Sequence, residues 1–156
     1  MGKSRGPGAC VFCGIVRGED ESSLVFEDEV SVAFLDIRPL LPGHCLIVPK
    51  VHVETLPDLS SDLAGPLLRN VQLLCRAVET GLEAEGSFVA VNNVISQSVP
   101  HLHFHVVPRW KGDGLFSAKL LWKRSPYKDE AARRMVAEKI RRAVAELVTL
   151  RSVKSS

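Results

Sequence analysis

His101, His103 and His105 alternate over five residues, with Leu102, Phe104 and Val106 filling the positions between and after them. On a β-strand, residues i, i+2 and i+4 project from one face. The pattern therefore puts three imidazoles on one side and three apolar side chains toward a core. Imidazole titrates near neutrality. A ring nitrogen with a free lone pair attacks phosphorus well and leaves readily from a phosphoramidate. A second ring nearby can hydrogen-bond to phosphate oxygens or move a proton to the departing group. Covalent catalysis of this kind divides one hard displacement into two easier ones. Imidazoles sharing a face also chelate Zn²⁺, and the spacing leaves that use open as the rival.

Cys10 and Cys13 form a C-x-x-C, whereas Cys45 and Cys75 stand alone in apolar segments. In a reducing compartment a close thiol pair is more often a metal or redox site than a structural disulfide. The isolated two read as core residues, since free cysteine buries readily.

The elements that must position these groups follow from patterning. Leu24–Glu27 and Val30–Leu35 read as two strands around an acidic turn at Asp28-Glu29. Pro39 and Pro42-Gly43 break the chain before a nearly continuous apolar strand, Cys45–Pro49. Ser60-Ser61-Asp62 supplies an N-cap for a long helix, with Pro66 tolerable near its first turn. Its buried stripe is Leu63, Leu67, Leu74, Val78 and Leu82, and Gly81 and Gly86 mark its end. Phe88–Asn92 is a fourth strand, and His101–Val107 a fifth, closed by Pro108. The segment Asp129–Val148 reads as a second helix with Ala132, Met135, Val136, Ile140, Val144 and Leu147 on its apolar face. This order predicts an α+β fold, a mostly antiparallel five-stranded sheet with one long central helix and a C-terminal helix. Residues 1–9 are expected to be a flexible lead-in, 10–150 a single domain and 151–156 a disordered tail.

A chain of 156 residues suits one domain with a core of its own. The net charge of +2 is too small to argue for a nucleic-acid groove or a membrane surface. Basic residues do cluster late, as Lys123-Arg124 and through Arg133, Arg134, Lys139, Arg141 and Arg142. They are interleaved with acidic residues on a helical pattern and read as a solvated face. No apolar run approaches a membrane span, and the N-terminus lacks an apolar signal core. Gly2 is followed at position 6 by Gly, not Ser or Thr, which argues against myristoylation. The expected location is cytoplasmic.

The run His101-Leu-His103-Phe-His105-Val-Val107 resembles the signature of the histidine-triad (HIT) family, His-φ-His-φ-His-φ-φ with φ apolar. Phe34-Leu-Asp36-Ile37-Arg-Pro39, Pro42-Gly43-His44, Ile47-Val-Pro49-Lys-Val-His52, Asn92 and Gln97-Ser98-Val99 are similar to further blocks of that family, in its order. The resemblance runs from about Cys10 to Arg109, and its C-x-x-C points to the bacterial Hint-like branch.

What the resemblance implies is specific. The fold would be HIT-like. His103 would be the nucleophile, nucleotidylated and then released by water or another acceptor. His105 would contact the phosphate and help with the proton for the leaving group. Ser98 would hydrogen-bond a phosphate or leaving-group oxygen, and Asn92 would lie near the α-phosphate. Gln97 and Val99 belong to the same phosphate loop, where Ser96-Gln97-Ser98 departs from the Gly-Gln common in the family. Asp36 would bind both ribose hydroxyls, a task suited to an acceptor-only carboxylate. Phe12, Ile15, Phe34 and Ile37 would surround the base. Cys10, Cys13, His52 and His101 would hold a structural Zn²⁺ in a closed tetrahedral site, leaving His44 to orient His103 or His105. Arg109 and Lys111 would either reach distal phosphates or belong to a surface loop. A homodimer through the long helix and a sheet edge is implied, with Trp122 at a neighbouring subunit's site or simply in the core or dimer interface.

Three functions follow. One is hydrolysis or transfer at the α-phosphate of adenosine 5′-monophosphate derivatives through a nucleotidyl-His103 intermediate. The second is hydrolysis or phosphorolysis of dinucleoside polyphosphates. The third is a non-catalytic, zinc-stabilised nucleotide-binding protein. A nucleic-acid partner and a membrane are not expected.

Overall fold

The computed structural model describes residues 10–119 and 123–154. A short helix α1 (Val11–Val16) precedes strands β1 (Leu24–Glu27), β2 (Ser31–Leu35) and β3 (Cys45–Pro49). A single 3₁₀ turn (Leu56–Asp58) leads into the long helix α2 (Ser61–Leu82). Strands β4 (Gly86–Val91) and β5 (Phe104–Arg109) and the helix α3 (Glu130–Lys154) complete the chain. The five strands form one antiparallel sheet in the order β1-β2-β3-β5-β4. This is the α+β architecture that the patterning predicts.

Alternation along β2 and β3 sorts their side chains into two cores. Ala33, Leu35, Cys45 and Ile47 pack with α2 and α3 on one face. Val32, Phe34, Leu46 and Val48 pack on the other face under Phe12 and Ile15 of α1. Burial on both faces explains why the five residues of each strand are all buried. The turn between β1 and β2 is held by Asp28, whose Oδ1 accepts from Val30 N at 2.9 Å and Ser31 N at 2.8 Å. Asn70 of α2 donates to Asp28 Oδ2 at 2.7 Å and Ser31 Oγ at 2.9 Å, latching the central helix to that turn.

Local details depart from the sequence expectations, each for a tertiary reason. Ser60 is the N-cap of α2, but its side chain makes no cap bond, and its carbonyl accepts from Leu63 and Ala64 instead. Gly81 does not end α2. It lies inside the helix, where a Cβ would come 2.7 Å from the Lys139 carbonyl of α3, so the residue permits close helix packing. The helix ends at Glu83 in the left-handed region, φ 54°, and Gly86 opens β4. Met135 is 59% exposed, and the buried stripe of α3 is Ala137, Ile140, Ala143 and Val144. α3 also runs past Val148 to Lys154. No Gly or Pro interrupts that stretch, and each added residue contributes a helical hydrogen bond. Its late arginines pair with Glu130 and Glu138 as a solvated face should.

The fifth strand begins at Phe104, so His101 and His103 lie in the loop just before it. Pro108 falls inside the strand rather than closing it. β3 pairs β5 only as far as Val106, so the proline sits where the sheet no longer has a neighbour on that side. The alternation itself survives: Leu102, Phe104 and Val106 enter the helix-side core. Among the described residues, no helix is long and apolar enough to cross a membrane. The expectations for residues 1–9 and for Trp122 lie outside the described residues.

Candidate active site and metal centre

Cys10 caps α1, its Sγ accepting from Cys13 N at 3.4 Å, so one helical turn brings both thiols together. His101 is fully buried and meets both thiols, its ring packed edge-on against Phe12 of the same helix. Its Nε2 lies 2.9 Å from the Pro49 carbonyl, which can only accept. The ring therefore carries its proton on Nε2 and turns the Nδ1 lone pair toward Cys10 Sγ at 3.4 Å and Cys13 Sγ at 3.6 Å. His52 adds Nδ1 at 3.2 Å from Cys13 Sγ, and the four donor atoms all lie within 4.8 Å of one another. Tetrahedral zinc at ordinary Zn–S and Zn–N lengths separates its ligands by about 3.3–3.8 Å. The donor set and spacing fit that ion. The backbone carbonyl that fixes the His101 tautomer is the outer partner that zinc-binding histidines usually have.

His103 is 3% exposed, and its Nδ1 lies 2.7 Å from the His101 carbonyl. That bond places the proton on Nδ1 and leaves the lone pair on Nε2. His44, fully buried, accepts from Leu40 N on Nδ1 at 3.1 Å, so its own proton is on Nε2. That nitrogen lies 2.9 Å from His105 Nδ1. His105 is thereby the acceptor in the pair and keeps its N–H on Nε2. Burial, then the charges of neighbouring histidines and Arg124, pushes His44 down to about 3 and His105 down to about 4. Both rings are neutral at pH 7, so the 3.7 Å approach of His44 Nδ1 to Asp36 is not an ion pair. The rings of His103 and His105 stand 5.0 Å apart, centroid to centroid.

These two histidines join two lobes of one cleft, together with Ser98 and Arg124. The more apolar lobe, about 310 Å³, is lined by Phe12, Ile15, Phe34, Ile37 and Val99, with Asp36 among them. The polar lobe, about 370 Å³, is lined by Asn92, Ser96, Leu40 and Ala90. Asp36 Oδ1 accepts from Arg38 N at 2.8 Å. Gln97 lines neither lobe. Its amide braces the loop, accepting from Val94 N at 2.8 Å and donating to the Glu54 carbonyl at 2.6 Å. That loop holds Val94 at φ 68° and Ser96 at φ 61°, costly conformations of the kind that collect at functional sites.

Arg124 is the site residue that sequence reasoning missed, having been grouped with the solvated basic residues. It is brought in by a strap: Ser125 N donates to the Pro39 carbonyl at 2.7 Å, and Tyr127 OH accepts from Gly43 N at 2.9 Å. Arg124 Nη1 then donates to the Arg38 carbonyl at 2.7 Å and approaches Asp36 Oδ2 at 3.4 Å. No local pattern could have flagged a contact spanning some ninety residues. Arg109 and Lys111 line neither lobe. Arg109 is held by both carboxylate oxygens of Asp113, at 2.6 and 2.8 Å, over the Phe116 ring. Lys111 points to solvent near Glu85.

The family model described as the HIT domain matches residues 17–112. Adenylylsulfatase HINT3 of Arabidopsis thaliana is 32% identical over 82% of this chain and 66% of its own. Adenosine 5′-monophosphoramidase hnt1 of Schizosaccharomyces pombe is 35% identical over 65% of this chain and 74% of its own. A crystal structure of a zinc-bound histidine triad family protein from Mycobacterium smegmatis superposes with a TM-score of 0.78, at 36% identity, over 93% of this chain and 99% of that one. The chain belongs to the histidine-triad family.

Proposed function

We propose that this protein hydrolyses adenosine 5′-monophosphate derivatives at the α-phosphate through a covalent nucleotidyl-His103 intermediate. The observation that carries the reading is the 2.7 Å bond from His103 Nδ1 to the His101 carbonyl, which leaves Nε2 as a lone-pair nucleophile in the cleft. The Nε2 pair bonds to phosphorus as the bond to the leaving group breaks, an amine departing with a proton drawn from solvent and an oxyanion departing without one. Water then adds to phosphorus, the P–N pair returns to the ring, and a proton goes to solvent. His105 donates its Nε2–H to the phosphoryl group, Ser98 stands at the junction of the lobes, and Asn92 lies on the polar side. The base sits between Phe12, Ile15, Phe34 and Ile37, with the ribose hydroxyls on Asp36. Two relatives named for cleaving adenylyl sulfate and adenosine phosphoramidate support this substrate class.

Zn²⁺ on Cys10, Cys13, His52 and His101 would be structural, tying α1 to the catalytic segment; with four protein ligands it offers no open position for water or substrate. The four cysteines form no disulfide with one another, which suits a reducing, cytoplasmic setting. A homodimer is part of the proposal: β4 is a terminal strand of the sheet, and Val89 on it is 40% exposed.

Intact-protein mass after brief mixing with an adenosine phosphoramidate tests the mechanism. An adduct of one adenylyl group on the wild type, absent from His103→Gly, is expected. Tight nucleotide binding without adduct or turnover would leave a non-catalytic nucleotide-binding protein in its place.

A further inference from the structure

Among the described residues, the polar lobe is lined by one cation, Arg124, and by no carboxylate. A guanidinium has five N–H donors in a rigid fork. Arg124 commits only Nη1, to the Arg38 carbonyl and toward Asp36, so its remaining donors have no partner among the described residues. The strap through Ser125 and Tyr127 sets the residue where the two lobes meet, beside His103 and His105. It is a placed group rather than a loose surface arm.

The histidine pair points the same way. His44 gives its only N–H to His105 Nδ1, so the ring facing the cleft offers a neutral N–H. An amine leaving group must gain a proton as it departs. A neutral imidazole that surrendered one would become an imidazolate, so His105 in this arrangement donates a hydrogen bond and little more. The oxyanion of a strong acid departs without a proton and needs positive charge to receive it.

Resting on the hydrolase reading above, we propose that the polar lobe selects a leaving group that departs as an oxyanion, with Arg124 as the specificity-determining residue that receives it. The P–N bond forms from the His103 Nε2 pair, and the bridging P–O bond breaks with its pair retained on the departing oxygen. Water completes the cycle, so a mixed anhydride and water give adenosine monophosphate, the oxyanion and a proton.

Adenosine 5′-phosphosulfate and adenosine 5′-phosphoramidate share everything but the leaving group, so damage to ribose or base binding cancels in the ratio of their kcat/KM values. Arg124→Ala is expected to lower kcat/KM for the phosphosulfate about 10–100-fold more than for the phosphoramidate, with Arg124→Lys recovering part of the difference. Equal losses on both substrates, or none on either, would overturn this inference and leave the hydrolase reading standing. If the wild type cleaves neither substrate and forms no His103 adduct, the hydrolase reading falls, and this inference falls with it.

Discussion

His44 Nε2 stands 2.9 Å from His105 Nδ1, and His44 Nδ1 takes a backbone N–H from Leu40, so the amide of one loop residue sets the proton position two rings away. The relay determines which nitrogen of His105 faces the cleft. Without it, His105 is free to adopt the other tautomer and present a lone pair where a donor is needed. Replacing His44 by Ala should therefore slow adduct formation about 10–100-fold while His103 stays in place. Gln can accept from Leu40 and donate to His105, and His44→Gln should restore part of the rate. Rapid-quench measurement of the adenylylated protein distinguishes the two variants.

The same burial makes stability depend on pH. His44 is held near 3, below its ordinary 6.5, so between these values the unfolded chain binds a proton that the folded one refuses. The stabilising contribution is complete above about pH 6.5 and is lost as pH falls toward 3. For this one fully buried group the slope approaches about 1.4 kcal/mol per pH unit within that window. Urea unfolding at pH 7, 6 and 5 should show the decline, with bound metal followed in parallel. The slope should flatten in His44→Gln.

Much of this architecture is legible because alternation and helical spacing are local. β1, β2 and β3 fall where their apolar runs predict, and the stripe Leu67, Leu74 and Val78 of α2 is buried as expected. The donor set Cys10, Cys13, His52 and His101 was legible only by resemblance, since 39 to 91 residues separate atoms that meet in space. Other features depend on what a residue packs against. Gly81 looks like a helix terminator until α3 is laid across it. Pro108 looks like a strand terminator until β3 is seen to stop at Val106. Arg124 carries no motif because its partners, Asp36 and Arg38, are reached only through the strap.

A structural ion with four protein ligands should be exchangeable without loss of chemistry. Protein loaded with Co²⁺ should show the visible absorption of a tetrahedral thiolate site and a kcat within about twofold of the zinc form. If the site holds its ion as proposed, Cys13→Ser should lower metal content and the melting temperature together, because the affinity for a structural metal adds to folding free energy. A large change in kcat on cobalt exchange, with the fold intact, would instead place the metal in the reaction.

Gly43 turns the chain immediately before His44 with φ at +93°, and a Cβ there would collide with Leu82 and come 3.1 Å from Pro108 Cγ. Two costs are superimposed. The left-handed backbone alone should make Gly43→Ala about 1–2 kcal/mol destabilising, and the collision with a helix side chain adds about 1–3 kcal/mol more. Leu82→Ala removes the collision and leaves the backbone term, so the double variant Gly43→Ala/Leu82→Ala should lose less than the two single changes summed. The shortfall, read from denaturant midpoints, measures the steric part. Simple additivity would mean that Leu82 swings aside freely and that the backbone conformation alone demands glycine.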